Sequence, residues 1–233
     1  MDIHPIAYLR SDFEGRFGTP RQPGLVPAAR AELRLEPPYN DASALRGLET
    51  CSHCWLVFGF HAISPGPWRP TVRPPRLGGN QRLGVFATRS PFRPNALGLS
   101  LARIEALLSP PCRGLALRGC DLMDGTPIFD IKPYLPAIES LPDARPPMGL
   151  GETGPGLPVE WEAEAQAALA NAPAHLGALI EQTMAADPRP AYHQQRGRGR
   201  YGMRLSGHEV RWTVTDAGAR VIAVSPLEKR EGD

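Results

Sequence analysis

Apolar residues in the first 135 positions come in short bursts punctuated by glycine and proline, a pattern that predicts strands rather than helices. Ile3 to Leu9 reads as a first strand, and Glu32 to Leu35 alternates like a second. Trp55 to Phe60 is an apolar run with the length of a buried strand. Gly84 to Thr88 reads as another, reached through the turn Gly78-Gly79-Asn80, and Gly98 to Ile104, Gly114 to Arg118 and Ile128 to Ile131 complete the set. Between them, Asn40 or Asp41 is placed to cap a short helix running to about Glu49. Many short strands at this spacing predict a barrel or sandwich.

After residue 141 the pattern changes. Residues 142–158 are dense in proline and glycine, as in a linker or long loop. Glu160 to Met184 has helical composition, with Pro173 placed to split it, and Tyr201 to Leu205, Glu209 to Val214 and Arg220 to Val224 read as a small antiparallel meander. The expected organisation is a β-rich domain over 1–141, a linker over 142–158 and a small α+β domain over 159–233.

Composition sharpens this. The 27 prolines of the 233-residue chain are roughly twice the usual share, which argues against a helical bundle and for short strands joined by structured loops. No apolar run reaches the length of a membrane span, and the first residues, Met-Asp-Ile-His-Pro, lack the basic lead of a signal peptide. A cytoplasmic protein with reduced cysteines is expected. Net charge is only +2, but its distribution is uneven. From Trp68 to Ser100 there are six arginines and no acid, and from Asp187 to Arg211 six more against two acids. Guanidinium forks match phosphate and carboxylate geometry.

Two literal motifs carry no chemistry. Gly149-Leu-Gly-Glu-Thr-Gly154 matches a dinucleotide fingerprint. The pattern needs a preceding strand and a following helix, and here prolines flank it on both sides. Cys51-Ser-His-Cys54 lacks the second ligand pair of a structural zinc site, because Cys112 and Cys120 lie eight apart; no metal is expected. The block from Trp68 to Ser100 is different. Rigid prolines, close-approach glycines and arginines at strand ends suit a ligand site on loops. A second block, Asp121 to Tyr134, brings three acids, Lys132 and Tyr134 around the turn Asp124-Gly125.

These blocks carry a family resemblance. Gly84-Val-Phe-Ala-Thr-Arg-Ser-Pro-Phe-Arg-Pro-Asn95 is similar to the signature of the TsaA/TrmO-like tRNA methyltransferases, with Asn95-Ala96 where that family usually has Asn-Pro. Pro20-Arg-Gln-Pro-Gly24, Pro38-Tyr-Asn40, Arg46-Gly-Leu-Glu49, Arg69 to Asn80, Asp124-Gly-Thr-Pro127 and Asp130-Ile-Lys-Pro-Tyr-Leu-Pro136 match in order. Asp187 to Tyr192 and Val210-Arg-Trp212 match its longer members.

The resemblance implies an antiparallel β-barrel methyltransferase fold, not a Rossmann one, with a small C-terminal α+β domain. It implies S-adenosyl-L-methionine as cofactor and a homodimer. The implied reaction is methylation of N6 of N6-threonylcarbamoyladenosine at position 37 of threonine tRNA. Matching positions put Arg21, Gln22, Pro23, His61, Ala62, Arg89, Leu99, Gly119, Cys120, Asp121 and Leu122 at the cofactor. Asp130, Tyr134, His61 and Lys132 are the catalytic candidates, with Asp124 or solvent as further acceptors of the N6 proton. Arg93, Asn95, Arg189, Tyr192, Arg196, Arg198, Arg200 and Tyr201 are the candidates for holding the anticodon arm by phosphate contact and stacking. Trp212 reads equally as a stacking ring or as core. The main rival is a non-catalytic RNA-binding or regulatory module using the same basic surfaces; a zinc-bearing hydrolase is a weaker one.

Overall fold

A computed structural model describes residues 2–64, 66–74, 81–110, 113–147, 156–189 and 199–228. The protein is mainly β. Strands β1 (Ala7–Ser11), β2 (Arg30–Leu35), β3 (His53–Gly59), β6 (Leu97–Leu108), β7 (Gly114–Arg118) and β8 (Pro127–Pro133) close into a barrel in the order β1-β2-β7-β6-β3-β8. Every neighbouring pair in it is antiparallel. A two-stranded ribbon, β4 (Thr71–Val72) with β5 (Leu83–Gly84), stands apart from it.

Strand alternation builds the barrel interior. Ala7 and Leu9, Leu33 and Leu35, Cys54, Leu56 and Phe58, Leu115 and Leu117, and Ile128 all point inward and are buried. Six strands enclose a space that side chains fill, so this is a packed core and not a pore. On the outside of β3 stand His53, Trp55 and Val57. A bulge where β8 passes Val57 and Phe58 takes up one residue, and so Asp130 pairs opposite the outward Val57 while Ile128 pairs opposite the inward Phe58.

The second unit is a four-stranded sheet, β10 (Gly199–Leu205), β11 (His208–Thr215), β12 (Gly218–Pro226) and β9 (Val159–Trp161), with the order β10-β11-β12-β9. Ser206 and Gly207 link β10 to β11 with both φ angles positive, the geometry of a tight hairpin turn. Helices α2 (Ala163–Ala168) and α3 (Leu176–Ala185) cover the sheet, and Leu176, Leu179, Ile180 and Met184 are fully buried. This core is assembled from both ends of the chain. Phe13, Val26 and Ala29 are buried within it, and Phe17 and Leu25 pack on it.

Several expected elements change form. Val159–Trp161 is a strand parallel to β12, not the start of a helix. Gly47, at φ +97°, divides the expected 41–49 helix into two 3-10 turns, Ala42–Leu45 capped by Asp41 and Leu48–Thr50. After β5 the expected strand through Thr88 becomes a 3-10 turn, Val85–Ala87, because the Thr88 hydroxyl donates to the Val85 carbonyl and leaves no extended backbone to pair. The turn at 78–80 and the glycine pattern at 149–154 lie outside the described residues.

Candidate cofactor and substrate site

At one end of the barrel four sequence-distant segments meet. The loop after β5 is pinned by its own polar groups: Arg93 donates to the carbonyls of Thr88 (2.8 Å) and Val85 (3.3 Å), and Val85 and Thr88 are buried. That frame projects Arg89, which donates to the Gln22 side chain. One step along the Gln22 segment, Gly24 N–H donates to the Gly119 carbonyl at 2.9 Å. Both glycines have positive φ, +77° and +65°. It is this left-handed backbone, not close approach, that favours glycine at both positions.

Asp121 follows Gly119 by two residues and turns its carboxylate toward Ser100, whose hydroxyl donates to it. Burial pushes the Asp121 carboxyl above the usual range, while the Ser100 hydrogen bond and the Arg89 charge hold it partly down. A partly buried acid set toward a guanidinium carries a desolvation cost that a core alone does not need. Cys120 and Leu122 point into the barrel core and are buried, so only their backbone faces this rim. Burial also raises the Cys120 thiol and lifts the Cys54 thiol to about 12, with the nearby Cys51 adding to the latter. Both are inert core residues.

His61, just past β3, stands beside the Asp124–Thr126 turn: a methyl on Gly125 would lie 3.8 Å from His61 Nε2. The same end of β3 is tied to the loop exit by Phe60 N–H donating to Ala96 O at 2.8 Å. Ala62 follows His61 in the same turn. Asp124 serves the scaffold. Its carboxylate accepts from Ser11 N at 3.0 Å, and its own N–H donates to Phe13 O at 2.8 Å.

The outer barrel wall carries the remaining candidates. Leu99, Val57 and Asp130 form one row across β6, β3 and β8, and Leu101, Trp55 and Lys132 form the next. Asp130 accepts from Ile131 N–H (2.9 Å) and pairs with Lys132 Nζ at 2.9 Å. Leu99 is half-exposed. Tyr134 packs edge-on against Trp55 and His53. That is the opposite end of β3 from His61, about 20 Å away along seven strand residues. Within one chain, therefore, the four catalytic candidates do not converge.

The basic residues divide sharply. Arg189 is buried, with its guanidinium bidentate on Asp187 at 2.8 and 2.9 Å and lying over the Tyr201 ring. Tyr201 stacks with Phe17 and Trp212, and Trp212 is fully buried. Arg189 and Trp212 are thus buried and Tyr201 packs partly buried against them, so the Arg189 guanidinium is turned to Asp187 and not outward. Arg93 is likewise committed to its own loop. Arg21 reaches across to the C-terminal unit and donates to Arg189 O at 2.7 Å, so it braces the Gln22 segment from behind. Arg200 is exposed on β10, with Arg204 and Arg211 on the same outer face of the sheet, and Asn95 is exposed in the loop before β6. Tyr192, Arg196 and Arg198 lie outside the described residues.

The rim fits S-adenosylmethionine by donor type. Arg89 offers a guanidinium for its carboxylate, Asp121 an acceptor for its ammonium or hydroxyls, and Leu99 an exposed apolar side chain. Among the described residues no three His, Cys, Asp or Glu side chains converge as a metal site requires, and no helix is long and apolar enough to cross a membrane. Ser100 ends the Trp68–Ser100 block that the sequence marks as a ligand site, and the structure sets its hydroxyl on Asp121. The Ser100 signal was a lone hydroxyl at an inward position of an apolar strand, which needs a partner.

Comparison with known proteins places the chain in a family. Residues 8–140 match the family model for the tRNA-methyltransferase O N-terminal domain, and residues 154–227 match that for the TrmO C-terminal domain. The chain is 48% identical over 231 residues to the Escherichia coli tRNA (adenine(37)-N6)-methyltransferase, covering 97% of this chain and 98% of that one. It is 46% identical over 215 residues, 90% of this chain and 91% of the other, to RcsF of Pseudomonas aeruginosa, whose name assigns it to the S-adenosylmethionine-dependent methyltransferases. The crystal structure of TrmO from P. aeruginosa superposes with a TM-score of 0.80 at 39% identity over 97% of both chains. The joined rim of Gln22, Arg89, Ser100 and Asp121 therefore stands in a chain that belongs to the tRNA-methyltransferase O family.

Proposed function

We propose that this chain transfers a methyl group from S-adenosylmethionine to N6 of adenine 37 in tRNA, and that the base it accepts is N6-threonylcarbamoyladenosine in threonine tRNA. The observation that carries the reading is the Gln22–Arg89–Asp121–Ser100 rim. The cofactor supplies a methyl group activated on a sulfonium. Arg89, held by Gln22, binds the cofactor carboxylate. Asp121, held by Ser100, accepts from its amino or hydroxyl groups, and the backbone of 119–122 frames it. Leu99 gives its adenine an apolar surface. Most of the rate then comes from alignment, worth up to about 7–11 kcal/mol in the best intramolecular cases. Asp130, oriented by Ile131 N–H and Lys132, contacts the substrate near N6, where a proton must leave.

The target adenosine lies in a single-stranded loop, so presenting it costs less than flipping a paired base. The outer sheet face with Arg200, Arg204 and Arg211 takes the phosphates of the anticodon arm, with Asn95 closer to the site. A homodimer is the proposed assembly. Exposed Leu135, Ile138 and Leu141 adjoin the outer barrel wall, where Trp55 Nε1 donates to Glu139 and lays α1 (Pro136–Glu139) along it. Such an apolar patch suits a second copy, and Tyr134 lies in it. The proposed compartment is the cytoplasm, where tRNA is matured.

The test is nucleoside mass spectrometry on tRNA from cells lacking the protein. Loss of the N6-methyl form, with its precursor accumulating, is the expected result, and an unchanged profile refutes the assignment. Titration with S-adenosylmethionine separates the enzyme from a non-catalytic RNA-binding module, which would show no binding. Scattering that gives the mass of one chain at micromolar concentration removes the dimer.

A further inference from the structure

Phe86 and Phe92 are 72% and 59% exposed. Both stand in the loop that carries Arg89, three residues before it and three after. A loose loop would fold such rings against the protein to remove apolar area from water. This loop is held from doing so. Thr88 Oγ1 caps Val85 O at 2.8 Å and accepts from Ser90 N–H at 3.3 Å, Ser90 Oγ accepts from Phe92 N–H at 3.2 Å, and Arg93 bridges two of its carbonyls. The Arg93 guanidinium lies 5.9 Å from the centre of the Phe86 ring and backs it with positive charge. The rings are thus presented outward from a fixed frame.

Their surroundings indicate the occupant. The stretch from Trp68 to Ser100 holds six arginines and no acid. A self-association face would be rich in contiguous aliphatic area, and that feature lies elsewhere, at Leu135, Ile138 and Leu141. Exposed rings within an arginine-rich, acid-free stretch of chain, one of them backed by Arg93, suit a polyanion whose flat apolar units alternate with phosphates. We propose that Phe86 and Phe92 are stacking platforms for the unpaired bases that flank the target adenine, with Arg89 between them at the cofactor rim. This rests on the tRNA methyltransferase reading and adds the means by which the loop bases are splayed around the transfer point.

The experiment compares Phe86→Leu, Phe92→Leu and the corresponding Trp variants with the wild type. The residues are exposed, so folding is preserved, which circular dichroism checks. Leucine keeps apolar contact but cannot stack; tryptophan can. Each Leu variant should lower kcat/KM for tRNA by about five- to a hundredfold, while Trp variants stay near wild type. Affinity for S-adenosylmethionine and the mass in solution should not move. An anticodon stem-loop with 2-aminopurine beside position 37 should be quenched by the wild type and lose that quenching with the Leu variants. Leu variants with wild-type kcat/KM and quenching overturn the proposal, as does a change of oligomeric mass. Methylation without Phe-dependent quenching removes the platforms and leaves the enzyme reading intact. Quenching without methylation keeps the platforms and removes the enzyme reading.

Discussion

Gly98 pairs directly with Phe58 across β6 and β3, and both face inward beneath the cofactor rim. A Cβ built on Gly98 would lie 2.3, 2.6 and 2.8 Å from three atoms of the Phe58 ring. Ordinary carbon contacts begin near 3.5 Å, so the ring or the strand must move by about 1 Å. Phe58 has little room, because it is buried and packs edge-on to Phe60 at 4.9 Å. Gly98→Ala should therefore destabilise by about 1–3 kcal/mol, the usual cost of overpacking. Phe58→Ala should cost about 3–5 kcal/mol through its cavity. In the double variant the added methyl enters the space the ring left, and its cost should fall short of the sum of the two single costs by at least about 1 kcal/mol. Urea unfolding of the four proteins, at constant m, gives the coupling energy. Additivity within about 0.5 kcal/mol would show that the ring does not rest on Gly98. A second readout links packing to function. Gly98 is two residues from Ser100, so Gly98→Ala should also weaken S-adenosylmethionine binding, and Phe58→Ala in the same chain should partly restore it.

Other outcomes follow from the site and the joint between the units. Arg89→Ala should abolish methyl transfer while leaving the protein folded, since Arg89 is exposed; a folded, active variant contradicts the site geometry. Asp12, buried between the units, accepts from Arg30 N–H at 2.7 Å and contacts His175 Nε2 at 3.1 Å. Asp12→Ala leaves two donors without this acceptor and should cost about 2–5 kcal/mol, measured by denaturant unfolding, with Asp12→Asn costing less. Asp121 has a folded-state pKa raised above its ordinary value of 3.8 by burial. Its contribution to stability is thus full below that value and is lost as pH rises through the folded one. Asp121→Asn should be more stable than the wild type at neutral pH, with the gap closing on acidification, and should bind S-adenosylmethionine more weakly. A variant less stable at neutral pH would reverse this sign.

The barrel was legible because local pattern and burial agree. Trp55 to Phe60 was legible as an unbroken apolar run, although its outward residues are only partly buried, and glycines or prolines mark the turns. That Arg89, Gln22 and Asp121 come together was legible only through motif resemblance, since nothing in their spacing joins positions 22, 89 and 121. Position in the fold reversed the roles of other residues of the same type. Arg189 and Arg200 stand in one basic run, yet one is buried on Asp187 and the other faces solvent. Charge patterning cannot separate them, because burial depends on what packs from elsewhere, here Phe17 and Trp212 beneath Tyr201.

By itself, then, the sequence determined the strand-rich class and where most of the barrel strands lie, which rest on interactions within a few residues. Tertiary structure alone decided that Phe13, Val26 and Ala29 belong to the C-terminal core, that Ser100 holds Asp121, and that Tyr134 and His61 lie at opposite ends of one strand. Each of these is a contact between positions far apart in the chain or a matter of which strand end a residue occupies. Such facts are set by barrel closure and register, which no local propensity encodes.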